Sequence, residues 1–207
     1  MGRKTKEETE NTRASILNAA LDCFYEKGFS KTSFDDIAAR INMTKGAVYW
    51  HFKDKGELLA ALIQYHIKDQ FEPMKKEFGL PNSLQSLRDL FVREIKYIES
   101  SSDLQKFLFF VMAQVEWSDA VFNSVIEKLG DIRILGLDIV QKALTSVQKS
   151  GQLMPGTNVN NAALAIMSLW RGSLYYYVLN QKSQNVKLGR SFLYGLDMIL
   201  NQLRKED

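Results

Sequence analysis

The chain has 207 residues, 45% of them hydrophobic and 25% charged, with 27 Lys and Arg against 24 Asp and Glu, a net charge of +3. That length suits one medium domain, or a small one joined to a larger one, and the composition is ordinary for a globular protein. So small a charge excludes a basic tail able to hold nucleic acid by itself, and a single cysteine, Cys23, excludes an internal disulfide.

Helical periodicity dominates and no alternating strand pattern stands out, so an all-α fold of about nine helices is expected. The first helix runs from about residue 8 to Lys27, with Ile16, Leu17, Ala20, Leu21 and Phe24 as its apolar stripe and Gly28 as its terminator. Cys23, beside Phe24, reads as a small buried hydrophobe. Ser33 suits the N-cap of a short second helix, with Asp36 three residues on in the manner of a capping box. Ile37, Ala38 and Ile41 share its inner face, and Asn42 can end it in a left-handed conformation. Thr44 caps a third helix whose first turn is Lys45, Gly46, Ala47 and Val48 and whose second is Tyr49, Trp50, His51 and Phe52. Gly46 and Ala47 are poor core residues but let a backbone approach another surface, whereas Phe52 is expected to turn inward.

Asp54 opens a long fourth helix towards Phe78, kinked or ended by Pro73. The fifth follows Asn82 or Ser83 with Leu84, Leu87, Phe91, Ile95 and Ile98 in line, until SSSD breaks the chain. The sixth is expected over Leu104 to Trp117 and the seventh over Asp119 to Lys149. The eighth starts after Asn158, and the ninth spans about Lys187 to Leu203. Residues 159–179 come nearest to a membrane span, but Asn160, Asn161 and Arg171 interrupt them, and a mostly buried helix is the better reading. The expected division is residues 1–55, a three-helix head, and residues 56–207, a larger helical body joined to it through the fourth helix. With a charged amino terminus that has no apolar core, no signal peptide and no membrane partner are expected, and the location expected is cytoplasmic.

Residues 33–57, SFDDIAARINMTKGAVYWHFKDKGE, therefore read as helix, tight turn and helix. The stretch TSFDDIAARINMTKGAVYWHFKDKGEL resembles the DNA-binding signature of the TetR family of one-component regulators. TKGAVYWHFKDK is similar to the AcrR-like branch of multidrug-efflux repressors, and RKTKEETENTRASILNAALDCFYEKGF matches the family's first helix. The resemblance is strong over about residues 3–60 and diffuse beyond. It implies a homodimer that places one head per half-site in successive major grooves of operator DNA, roughly 34–36 Å apart, and an efflux operon as target. It also implies a dimer seam of the last two helices. The composition of the eighth agrees, since Arg171 is the only charge between Gln152 and Gln181, although an internal core helix would need the same.

Within that frame Thr44, Tyr49, His51 and Lys55 match positions that contact phosphates. Lys45 and Ala47 are the candidate base readers, Lys45 towards a guanine edge and Ala47 towards a thymine methyl. Gly46 allows close approach, and Thr32 and Ser33 can touch the backbone through amides at the start of the second helix. Lys6, with Arg3 and Lys4, can form an arm on flanking DNA. Trp50 divides evenly between DNA contact and packing against the first helix. Residues 1–56 hold 10 Lys and Arg against 8 Asp and Glu, so the positive charge must be placed and not pooled.

The body carries no catalytic constellation. Two histidines, His51 and His66, and one cysteine make no conventional zinc site, and no phosphate-cradling loop or nucleophile motif is present, so neither an enzyme nor a metal or cofactor is expected. The resemblance instead implies a small hydrophobic or cationic effector. Phe91, Phe107, Phe110, Met112, Met167, Trp170 and Tyr175 fall on helices that line the family's cavity, with Leu108 and Val140 as further candidates. Each of them could equally be plain core. Glu116, expected inside an apolar helix, either holds a cationic ligand, pairs with Arg171, or reaches solvent near a helix end. Two other readings are a helix-turn-helix protein that answers a protein partner, and a helical enzyme or carrier.

Overall fold

The computed structural model describes residues 6–66, 79–129, 136–180 and 186–205. Among the described residues there are ten α-helices, π-helical geometry at 65–66 and at Phe110–Gln114, and no strand; an isolated bridge pairs Leu153 with Arg204. Packing groups the chain into two compact units, residues 1–72 with 106–130, and residues 73–105 with 131–207. This division by packing differs in kind from the division by role at residue 55, which it leaves open.

In the first unit α1 (Lys6–Lys27) buries Ile16, Leu17, Ala20, Leu21 and Phe24, the expected stripe. Gly28 follows at φ +82°, a left-handed conformation that ends the helix at little cost for glycine. Then come α2 (Phe34–Arg40), α3 (Lys45–His51) and α4 (Lys55–Gln64). Asn42 takes φ +53° in the turn between α2 and α3. Asp54 caps α4 by accepting from the Glu57 amide at 2.8 Å. Residues 67–78, and with them Pro73 and the far half of the expected fourth helix, lie outside the described residues.

The second unit packs α5 (Leu84–Ser100), α8 (Leu137–Lys149), α9 (Val159–Leu179) and α10 (Leu188–Leu203). Helix α9 lies against α8 and α10, and α5 against α8 and α10. Ser83 caps α5 through a reciprocal pair with Ser86. Phe91, Trp170 and Phe192 meet as three rings with centroids 4.8 to 5.3 Å apart. Arg88 clasps Asp197 with two hydrogen bonds of 2.6 and 3.0 Å, tying α5 to α10.

Two expected helices are corrected. The sixth is α6 (Ser102–Phe109) followed by a π-helical turn at Phe110–Gln114, and the chain is extended by Val115. Polar anchors draw it out: the Trp117 indole donates to the Val111 carbonyl at 3.1 Å, and Gln114 donates to the Tyr25 carbonyl at 3.1 Å. The expected seventh helix is two, α7 (Asp119–Leu129) and α8. Gly136 stands before α8 at φ +86°, a conformation no right-handed helix can pass through.

Candidate nucleic-acid interface

The α2–turn–α3 element is built by its caps. Ser33 accepts from the Asp36 amide at 3.2 Å, while the Asp36 carboxylate accepts from the Ser33 amide at 2.9 Å. Lys27 also pairs with Asp36, and together the lysine and Ser33 hold this carboxyl far below the usual carboxylate range. Thr44 accepts from the Ala47 amide at 3.3 Å; its hydroxyl proton is left to donate outward. Val48 and Phe52 turn into the core, where Arg13 lies over the Phe52 ring. Arg40, at the end of α2, grips Glu26 of α1 through two hydrogen bonds of 2.7 and 2.8 Å, with Asp22 3.5 Å away.

The outer face of α3 is left bare. Trp50 is 71% exposed and Tyr49 52%. That settles Trp50 against packing on the first helix. Tyr49 keeps an edge on Phe34 (4.8 Å, 62°), which orients the ring, and Trp50 stands edge-on to His51 at 4.6 Å. A Cβ on Gly46 would meet only the Thr44 hydroxyl, at 3.9 Å, so nothing within the protein requires glycine there. Met43, Ala47, Trp50 and His51 line one shallow hollow on this face. Lys6 is exposed at the start of α1.

Three expected contacts are already engaged. Thr32 as a whole is 2% exposed and its hydroxyl is directed at the carbonyls of Gly28 and Cys23, at 2.8 and 3.1 Å, so it offers almost no surface to an outside partner. Lys55 donates to the carbonyls of Phe29 and Ser30 at 3.0 and 3.1 Å and lies over the Phe29 ring. Two of its three protons thus serve the turn after α1. Lys45 pairs with Asp35 at 2.6 Å, and that carboxylate raises the lysine's pKa.

The effector candidates divide between the two units. In the first, Phe107 is buried with its ring stacked 4.4 Å from His66, and Phe110 stacks 5.0 Å from Phe24, both core positions, while Leu108 and Met112 are half-buried. In the second, Phe91 and Trp170 belong to the three-ring cluster, Val140 and Met167 are buried, and Arg171 and Tyr175 are exposed. Of the three readings open for Glu116, its position agrees with the last, a side chain in solvent past the end of a helix. It lies beyond the π turn and outside any helix, is exposed, and accepts from the Ser30 hydroxyl at 2.9 Å. No buried carboxylate remains there to explain.

Asp35, Asp22 and Ser30 were not singled out from the sequence. Asp22 and Glu26, four apart on α1, form an acidic stripe that was legible. Lys106 completes it by reaching Asp22 at 3.0 Å. The Ser30–Glu116 pair spans 86 residues, and no local signal announces it. Among the described residues no group of three or more His, Cys, Asp or Glu could hold a metal ion, and no helix is long and apolar enough to cross a membrane.

Residues 16–62 match the family model described as bacterial regulatory proteins, tetR family. The chain is 49% identical over 63 residues, 30% of each chain, to the HTH-type transcriptional regulator TtgR of Pseudomonas putida. So close a match spans under a third of that relative's length. A longer one, 26% identical over 192 residues, covers 87% of this chain and 82% of a probable acrEF/envCD operon repressor of Escherichia coli. Among solved structures the chain is similar to SmeT, the repressor of the Stenotrophomonas maltophilia multidrug efflux pump SmeDEF, with a TM-score of 0.75 and 28% identity over 96% of this chain and 93% of that one. SmeT has also been solved in complex with triclosan.

Proposed function

We propose that this chain, which belongs to the TetR family of bacterial regulatory proteins through its amino-terminal domain, is a homodimeric repressor that holds operator DNA until a small molecule releases it. The observation that carries the reading is the bare outer face of α3. Tyr49 and Trp50 stand in water on a helix whose opposite side, Val48 with Phe52, is packed solid. A soluble protein exposes two adjacent large aromatics on a short capped helix at a cost, which contact with a partner offsets. Thr44 and Tyr49 are the phosphate contacts, Ser33 supports them from α2, and Lys45 and Ala47 face the bases.

The dimer seam is assigned to α9 and α10. Leu164, Tyr176, Leu179, Tyr194 and Met198 are exposed large apolar residues on these two helices. Their burial against a second copy would set the spacing of two heads on half-sites about one helical turn apart.

Release follows from linkage. An effector empties the operator only by preferring a conformation whose heads are wrongly spaced, and a reversal from 99:1 to 1:99 takes about 5.5 kcal/mol of differential affinity, which two sites per dimer can share. Segment 106–116 is suited to carry the change. Lys106, Gln114 and Glu116 hold Asp22, the Tyr25 carbonyl and Ser30, all on α1 or the loop that leads to α2. Hydrophobic or cationic drug-like molecules are the effector class, and a multidrug efflux system is the target, by analogy with the named relatives.

The test is selection of bound sequences from a random duplex pool, repeated with a panel of lipophilic cations and neutral biocides. A palindrome lost on adding ligand supports the whole reading. A palindrome indifferent to every ligand keeps the DNA role and removes the effector. No enrichment overturns the assignment of α3 to DNA.

A further inference from the structure

The hollow on α3 is apolar on a face that must meet a polyanion. Met43, Ala47, Trp50 and His51 recur at spacings of three and four residues, so they share one side of the helix and its entry turn. No lysine or arginine lines it. Lys45, on the same helix, is turned to Asp35. Trp50 stays 71% exposed although its neighbour Phe52 is packed inside, so the hollow is not an unfinished part of the core.

Charged and hydroxyl-bearing residues suffice for phosphate contacts and leave such a surface without purpose. The major-groove edge of DNA offers one apolar group, the C5-methyl of thymine. Gly46, which no packing contact requires, lets the helix backbone settle close enough for a shallow hollow to reach it. The geometry points to a methyl-reading cup: Met43 and Trp50 are specificity-determining residues that, with Ala47 as floor, enclose one thymine methyl in each half-site. This rests on the assignment of α3 to operator DNA and adds the chemical feature it reads. A 5-methylcytosine presents the same methyl at the same place, so the cup reads the methyl and not the rest of the base. Lys45, freed from Asp35, would read a separate, hydrogen-bonding edge.

The experiment takes the operator obtained by selection and replaces its thymines one at a time with deoxyuridine, which removes only the methyl. Affinity of the full-length protein is measured at fixed salt. One thymine per half-site is expected to lose about three- to fivefold, the weight of one buried methyl. At that position 5-methylcytosine should bind better than cytosine. Trp50→Ala, at an exposed site that the fold does not need, and separately Met43→Ala, should bind the thymine and deoxyuridine operators alike while keeping the wild-type salt dependence. If no thymine responds although the operator is bound, the cup is overturned and the DNA-binding reading stands. If one responds equally in both variants, the methyl is read elsewhere and the assignment to Met43 and Trp50 fails. No enrichment from the random pool would remove both readings at once.

Discussion

Lys45 commits one of its three protons to Asp35, and the carboxylate draws the ammonium away from a guanine edge. In the free protein the pair sits at 2.6 Å with both side chains at least half exposed, so it is worth little as stability. Its effect falls on binding, because Asp35 brings a negative charge to the DNA face and competes for the lysine. Asp35→Asn is expected to tighten binding several-fold on all sequences at low salt, an effect that fades as salt rises; equal affinity at every salt concentration would show that Asp35 does not restrain Lys45. Lys45→Ala should do the reverse and also broaden base preference at one position, which repeated selection would read. Lys55 differs in kind. Because it caps the Phe29 and Ser30 carbonyls, Lys55→Ala should cost about 1–2 kcal/mol of stability in denaturant titration besides weakening DNA binding.

Among the elements, the head responds to acid in a definite direction. The Asp36 carboxyl is lowered first by its bond from Lys27 and then by Ser33, and Glu26 is lowered by Arg40. A depressed carboxylate contributes stability above its unfolded pKa, near 4, and that contribution is lost as pH falls through the folded value. The protein should therefore lose stability below about pH 4, with a shallower loss in Asp36→Asn; parallel curves for the two would assign the effect elsewhere. Gly136 gives a second prediction at this scale. At φ +86°, with the end of Met167 3.2 Å from where a Cβ would lie, Gly136→Ala is expected to cost about 1–2 kcal/mol in thermal or denaturant unfolding. The sequence spoke clearly wherever structure is local. The Ser33–Asp36 capping box, the Thr44 cap, left-handed Asn42 and inward Phe52 are each settled by a few neighbouring residues. It was silent at the π turn, because apolar periodicity does not reveal which carbonyl an amide bonds to. The break before α8 was missed for a related reason: glycine permits a left-handed turn without demanding one. Glu116 was left between three readings because its partner, Ser30, is remote in sequence.

At the scale of the whole molecule, the exposed apolar residues of α9 and α10 carry the prediction that the protein is a dimer. Tyr194→Asp combined with Met198→Asp, both on the open side of α10, should give a monomer in sedimentation analysis that keeps its helical spectrum. Such a monomer would lose most of its operator affinity, since each head alone contacts one half-site. A dimer that survives the double change would place the seam elsewhere.

The three tryptophans sit in three environments: Trp50 in water, Trp117 half-buried beside the π turn, and Trp170 buried among rings. The molecule thus carries its own optical labels, one on the face assigned to DNA, one half-buried and one in the interior. Aqueous quenchers such as iodide should remove the red-shifted emission of Trp50 first and leave the blue emission of Trp170. Operator DNA should shield the red component, and a hydrophobic effector bound in the interior should disturb the blue one, so two binding events could be followed separately in one unlabelled sample.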